Sequence, residues 1–207
     1  MYKVIASGST GNAVLYHGSI LIDCGVPFAS LRPYINSIQL VCVSHCHLDH
    51  MNLTTLKRLA LERPSLRFGI GSYLQEYFAG FRNVDIYDPG KWYDYGGFKI
   101  MIGNLYHDVP NCFYRIEKNG QKVFHATDTM TLEGITAPGY DLYAIESNYD
   151  AETVYNRIKQ KEDNGQYSYE RAAMNSHLSE QQARDFIFKN RKPESVTVRL
   201  HESSILK

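Results

Sequence analysis

Short apolar blocks separated by polar turns run along this chain, and they predict strands before they predict anything else. Residues 2–6 alternate loosely. Residues 13–16 and 19–23 flank His17-Gly18 and read as a hairpin, and Leu40-Val41-Cys42-Val43 is continuously apolar. Further strands are predicted over 67–70, 84–87 and 98–102. A second hairpin joins 112–116 to 122–124 around Asn119-Gly120, a pair suited to a tight turn. Residues 142–145 and 196–200 complete the strand set.

Helical spacing interrupts this pattern at a few places. Leu53, Leu56, Leu59 and Ala60 share one face, Thr54, Lys57, Arg58 and Glu62 the other, and Pro64 follows the end. Short helices are predicted over 31–35, limited by Pro33, and over 72–78. Asp150 caps a helix running to about Lys161. Ser179 and Gln182 form a capping box for a helix that buries Ala183, Phe186 and Ile187. Residues 162–176 read as a polar, irregular stretch, a lid or an inserted loop. Strands interleaved with helices indicate a layered α/β fold, expected as one domain over 1–207.

Bulk composition narrows the function classes. No apolar run approaches the roughly 20 residues of a membrane span, and the chain opens on a strand with no signal peptide before it. The cysteines Cys24, Cys42, Cys46 and Cys112 form no CxxC pair and read as buried thiols, which favours a reducing cytosol. Twenty-two basic residues balance 22 acidic ones, so bulk charge gives no support for a strongly basic face against a long duplex. The mild basic excess at Lys189, Arg191, Lys192 and Arg199 reads as a solvated face.

The chemistry concentrates in Ser44-His45-Cys46-His47-Leu48-Asp49-His50, directly after an apolar strand. Downstream, His107, Asp128 and His201 also follow strand-like runs. Imidazoles and carboxylates without thiolate suit zinc, manganese or iron in an open site, and seven such donors suffice for two ions. His17 and His125 read as ordinary surface or strand-end histidines. Ser9, Thr10 and Asn12 lie in a glycine-rich turn; either they line the site and bind a phosphate oxygen or they shape the turn.

The HxHxDH run with His107, Asp128 in Thr-Asp-Thr and His201 resembles the metallo-β-lactamase superfamily, whose fold is a four-layer αββα sandwich. Residues 6–13 (Ala-Ser-Gly-Ser-Thr-Gly-Asn-Ala) and Glu146-Ser147-Asn148 resemble the YycJ/WalJ-like branch, associated with nuclease activity on DNA ends. Glu202-Ser203 and Tyr149 depart from that branch, which commonly has a Leu-Ser pair and a histidine there. The resemblance implies two divalent ions, zinc or manganese. His45, His47 and His107 would hold one, Asp49, His50 and His201 the other, with Asp128 between them. His177-Leu178-Ser179 with Glu146 resembles the element by which tRNA 3′-processing endonucleases deliver a proton to the leaving oxygen. Asp49, Glu146 and His177 are then the catalytic candidates.

The expectation is a dinuclear phosphodiester hydrolase acting on nucleic acid, resembling a DNA exonuclease. A cyclic-nucleotide or other small phosphodiesterase is the alternative in the same chemistry. An ester, thioester or lactam hydrolase is a different class, and the Glu146/His177 pair argues against it, as does the complete donor set against a metal-free binding domain. Oligomeric state is not legible.

Overall fold

A computed structural model gives the fold. It describes residues 1–168 and 170–203, without the side chain of Ala172. The chain divides into two compact units, Met1–Tyr93 and Asp94–Lys207.

The first unit is built on a six-stranded mixed sheet in sequence order. Its strands are β1 (Tyr2–Ala6), β2 (Ala13–Tyr16), β3 (Ile20–Ile22), β4 (Leu40–Val43), β5 (Arg67–Gly71) and β6 (Val84–Tyr87). β1 to β3 pair antiparallel through tight connections, and β3 to β6 pair parallel. Parallel strands need crossovers, and the helices α1 (Phe28–Leu31) and α2 (Leu53–Glu62) supply them, with a 3₁₀ segment over Ser72–Phe78. α2 starts where Asn52 accepts a hydrogen bond from the Thr55 backbone N–H, and it buries Thr55, Leu56 and Leu59. Leu31, Val41, Val43, Leu56, Leu59, Phe68 and Leu74 belong to the core beneath that face.

The second sheet runs in the order β12-β11-β10-β9-β8-β7. Its strands are β7 (Trp92–Asp94), β8 (Lys99–Leu105), β9 (Asn111–Lys118), β10 (Gln121–Ala126), β11 (Leu142–Glu146) and β12 (Val196–Leu200). β8, β9 and β10 form antiparallel hairpins, whereas β10, β11 and β12 are parallel. The helices are α3 (Ala151–Asp163), α4 (Glu170–Met174) and α5 (Glu180–Asn190). Leu178, Ala183 and Phe186 pack with Phe124, Tyr143 and Ile145 of the sheet. The capping box of α5 is complete in both directions.

Several sequence expectations need correction. The first short helix lies over Phe28–Leu31, upstream of 31–35; Arg32 keeps helical backbone, but Pro33 has no N–H with which to continue the ladder. The element over Ser72–Phe78 is 3₁₀. β7 carries too short an apolar run for its pattern to signal a strand. Residues 162–176 are only partly irregular, with helix at both ends of a turn-rich connection. α3 extends to Asp163 and α4 occupies 170–174, with Tyr169 outside the described residues. Lys161 Nζ donates to both oxygens of buried Glu170 at 2.7 and 2.9 Å, and Glu162 pairs with Arg171. Polarity there reflects ion pairing between two helices. His125 lies near the end of β10, the strand-end position expected, and is buried there, while His17 is half-buried in its turn.

Candidate metal centre

In the first unit the donors stand at the C-terminal ends of neighbouring parallel strands β3 and β4. Strand ends of this kind carry ligands because the following turns project from a rigid sheet. Asp23 follows β3 and Ser44–His50 follows β4. Asp23 is only 1% exposed and has a positive φ of 62°, a conformation that Asp tolerates better than most residues. One carboxylate oxygen accepts from the Ser44 backbone N–H at 2.8 Å, and the other from His50 Nδ1 at 2.7 Å. This fixes the imidazole tautomer and puts the ring lone pair on Nε2, the nitrogen that can ligate a metal. His50 Nε2 lies 3.5 Å from Asp49 Oδ2. His45 is held likewise, with Nδ1 3.0 Å from Ser44 Oγ and Nε2 3.1 Å from His47 Nδ1. Two donor pairs therefore form within six residues of the turn.

The glycine-rich loop braces this turn. The Asn12 backbone N–H donates to the Asp49 carbonyl at 2.6 Å, and its side-chain amide donates to the Gly8 carbonyl at 3.0 Å and Asp49 Oδ2 at 3.2 Å. The same amide nitrogen is 2.8 Å from His50 Nε2. Buried Asn12 is thus committed to holding the donors, while Ser9 and Thr10 are exposed on the turn. Gly25 explains the closeness of the packing. A Cβ there would stand 1.7 Å from the Asp49 carbonyl oxygen, so no side chain fits.

In the second unit the ends of β8, β10, β11 and β12 lie along one edge, and they carry His107, Asp128, Glu146 and His201. One donor atom from each of Asp128, Glu146, His177 and His201 lies within 4.8 Å of the others, a grouping able to hold an ion. Asp128 Oδ2 is 3.9 Å from His107 Nε2 and 3.7 Å from His201 Nε2. Its other oxygen accepts from Thr127 Oγ1 at 2.6 Å. Asn111 Nδ2 donates to the carbonyls of Thr127 and Asp128 at 2.9 and 2.6 Å, which sets the left-handed backbone at Asp128 (φ 54°). His107 Nδ1 donates to the Ser176 carbonyl at 3.0 Å, again leaving Nε2 outward. Burial holds the His107 pKa below its usual value, against the pull of Asp128 and Asp108, and so favours the neutral form that ligates metals.

Glu146 is wholly buried. It accepts from His177 Nδ1 at 2.5 Å and from the backbone N–H groups of Thr129 and Leu178 at 3.0 and 3.2 Å. Burial pushes its carboxyl pKa upward while the His177 hydrogen bond pulls it down. The His177 ring stacks on His201 at 5.1 Å and lies 5.5 Å from His107. The donor chemistry fits divalent ions. It comprises imidazole nitrogens and carboxylates, with the far ring nitrogens of His50 and His107 hydrogen-bonded to a carboxylate and a carbonyl.

A family model described as "Beta-lactamase superfamily domain" matches residues 19–146. The chain belongs to the metallo-β-lactamase superfamily. Solved structures share the fold at 16% identity. The Bacillus subtilis metallo-β-lactamase fold protein YhfI has a TM-score of 0.75 over 98% of this chain and 85% of that one. Human tRNase Z, short form, has 0.71 over 99% and 93%, and a diphosphatase from the PhnP family has 0.67 over 98% and 85%. The layered α/β architecture read from the sequence is therefore the metallo-β-lactamase fold. A UPF0173 metal-dependent hydrolase from Thermococcus onnurineus (strain NA1) is 27% identical over 64% of each chain. The Xenopus laevis cytidine monophosphate-N-acetylneuraminic acid hydroxylase is 25% identical over 48% of this chain, which spans only 18% of that protein.

Sequence reading missed Asp23, Asn111, Thr127 and the Ser176 carbonyl. Asn111 sits at a strand end shortly after His107, a signal that could have marked it, whereas Asp23 has no candidate donor near it in the sequence. Nothing in the sequence marks the Ser176 carbonyl, since a backbone group has no residue-type signature.

Proposed function

We propose that this chain is a two-metal hydrolase that cleaves phosphodiesters in nucleic acid, of the YycJ/WalJ-like nuclease branch. His45, His47 and His107 would hold one zinc or manganese ion, Asp49, His50 and His201 the other, and Asp128 would bridge them. When bound, two such ions supply an activated water and neutralise charge developing on the phosphoryl oxygens. The observation that carries the phosphodiester reading is the His177–Glu146 pair beside two of these histidines. A nucleotide leaves as an alkoxide, a poor leaving group that benefits from a proton. With Nδ1–H donated to Glu146, the imidazolium form of His177 would give its Nε2 proton to the leaving oxygen, and the Glu146 carboxylate stabilises that charged ring. Lactams and thioesters need no such acid at this place. Exposed Ser9 and Thr10 are available to meet substrate oxygens. Buried thiols at Cys24, Cys42 and Cys112 accord with work in the cytosol. With 22 basic against 22 acidic residues, cyclic nucleotides or other small diesters are the alternative substrate class.

A substrate panel with manganese or zinc tests this: labelled duplex and single-stranded DNA, RNA, cyclic mononucleotides, an activated aryl diester, a lactam and a thioester. Cleavage of a nucleic acid or cyclic nucleotide is expected. His177→Ala should retain metal and lose roughly 10²–10⁴-fold on these alkyl diesters, with a smaller loss on the aryl diester. Cleavage of the lactam or thioester alone would overturn the phosphodiester assignment, and metal loss on His177→Ala would overturn the acid role.

A further inference from the structure

A second concave site lies in the first unit, away from the donor turn. It is a cavity of about 560 Å³ at the C-terminal end of α2, bounded also by the start of β5 and by residues 79–82. That volume is in the range of small-molecule sites. The ten residues of α2, at ~1.5 Å each, separate it from the ligand turn by roughly 15 Å.

Its chemistry has two parts. The floor is apolar, with Leu66 and Phe68 buried and Phe81 set edge-on to Phe68 at 5.2 Å. The rim carries Lys57, Arg63 and Arg82, and no acidic residue lines the cavity. Two acids close to the lining in sequence, Glu62 and Asp85, pair with Arg58 and Arg67. Arg63 donates to the Ile35 carbonyl, which anchors its guanidinium. Among the described residues, Lys57 and Arg82 make no ion pair. A cation near a helix C-terminus stabilises that helix, which accounts for Arg63, but Arg82 lies outside any helix. Three cations around an apolar hollow, on a chain of zero net charge, match a ligand with an apolar body and an anionic head.

We propose that this cavity binds a small amphipathic anion, its tail on Leu66, Phe68 and Phe81 and its phosphate or carboxylate head among Lys57, Arg63 and Arg82. Isothermal titration of the metal-loaded protein with decyl phosphate tests it, repeated on chelator-stripped protein to separate binding at the metal centre. Saturable one-to-one binding is expected, while decyltrimethylammonium, with the same tail, should not bind. Octyl phosphate should bind roughly tenfold more weakly, from the two methylenes lost. Lys57→Glu with Arg82→Glu, both exposed positions, should weaken decyl phosphate at least tenfold and leave diester hydrolysis unchanged. Ala60→Trp should fill the cavity and abolish binding, with a thermal melt confirming the fold. Equal affinity for the cationic amphipath, indifference to both charge reversals, or preference for an oligonucleotide over decyl phosphate would overturn the proposal.

Discussion

Asp23 shows how one carboxylate outside the ligand motif governs it. It accepts simultaneously from the Ser44 N–H and from His50 Nδ1, so it sets both the turn and the imidazole. Asp23→Asn isolates the second role, because Asn also tolerates the positive φ at this position. The amide can keep the bond from Ser44 but replaces the carboxylate that raises the basicity of His50. Metal affinity should fall about 10–100-fold with the fold intact, read by competition against a chromophoric chelator. Unchanged affinity would mean that His50 is oriented by packing alone. Asp23 looked in sequence like the polar end of a hairpin strand. Its role depends on His50, which lies 27 positions away, so its own surroundings could not announce it.

At the scale of elements, the parallel strand pairs account for the placement of nearly every candidate residue. β3 with β4, and β10 with β11 and β12, bring their C-terminal ends level, and the donors sit in the turns beyond. The segment between Asp150 and Ser179 does similar work by another route. α3 and α4 are joined by Lys161–Glu170, and the chain that leaves them presents the Ser176 carbonyl to His107 and the His177 ring to Glu146. Asp150 starts α3, accepting from Gln181 and from the Thr153 N–H, and these bonds hold its pKa down to about 2. A depressed carboxylate contributes stability above its ordinary value of about 4 and loses it as pH falls toward the folded value. The Tm advantage of wild type over Asp150→Asn should therefore be constant near neutrality and shrink between about pH 4 and 2. A difference that stays flat through that window would show that the charged cap contributes nothing. The sequence revealed the cap itself but not α4, whose five residues carry too little periodicity to read.

For the whole molecule, metal is expected to matter for stability as well as chemistry. Ligands that bind the folded state alone stabilise it by about 2.7 kcal/mol at a hundredfold excess over Kd. Protein stripped by chelator should melt several degrees lower than protein supplied with zinc or manganese, and readdition should restore the Tm. An unchanged Tm would count against the donor set as a metal site. The local sequence determined most of the strands, the two helix caps, the clustered HxHxDH donors and the superfamily, because periodicity, capping and a dense motif are short-range signals. It also showed His107, Asp128, Glu146, His177 and His201 as candidates. Only the tertiary structure decided that Asp23 serves His50, that Asn111 sets Asp128, and that Asn12 braces Asp49. It also decided that α3 and α4, at the two ends of the 162–176 stretch, are tied by ion pairs. Each of these is a contact between residues distant in the chain, made by strand registry and crossover geometry, and hydrophobic pattern carries no information about which side chain will meet which.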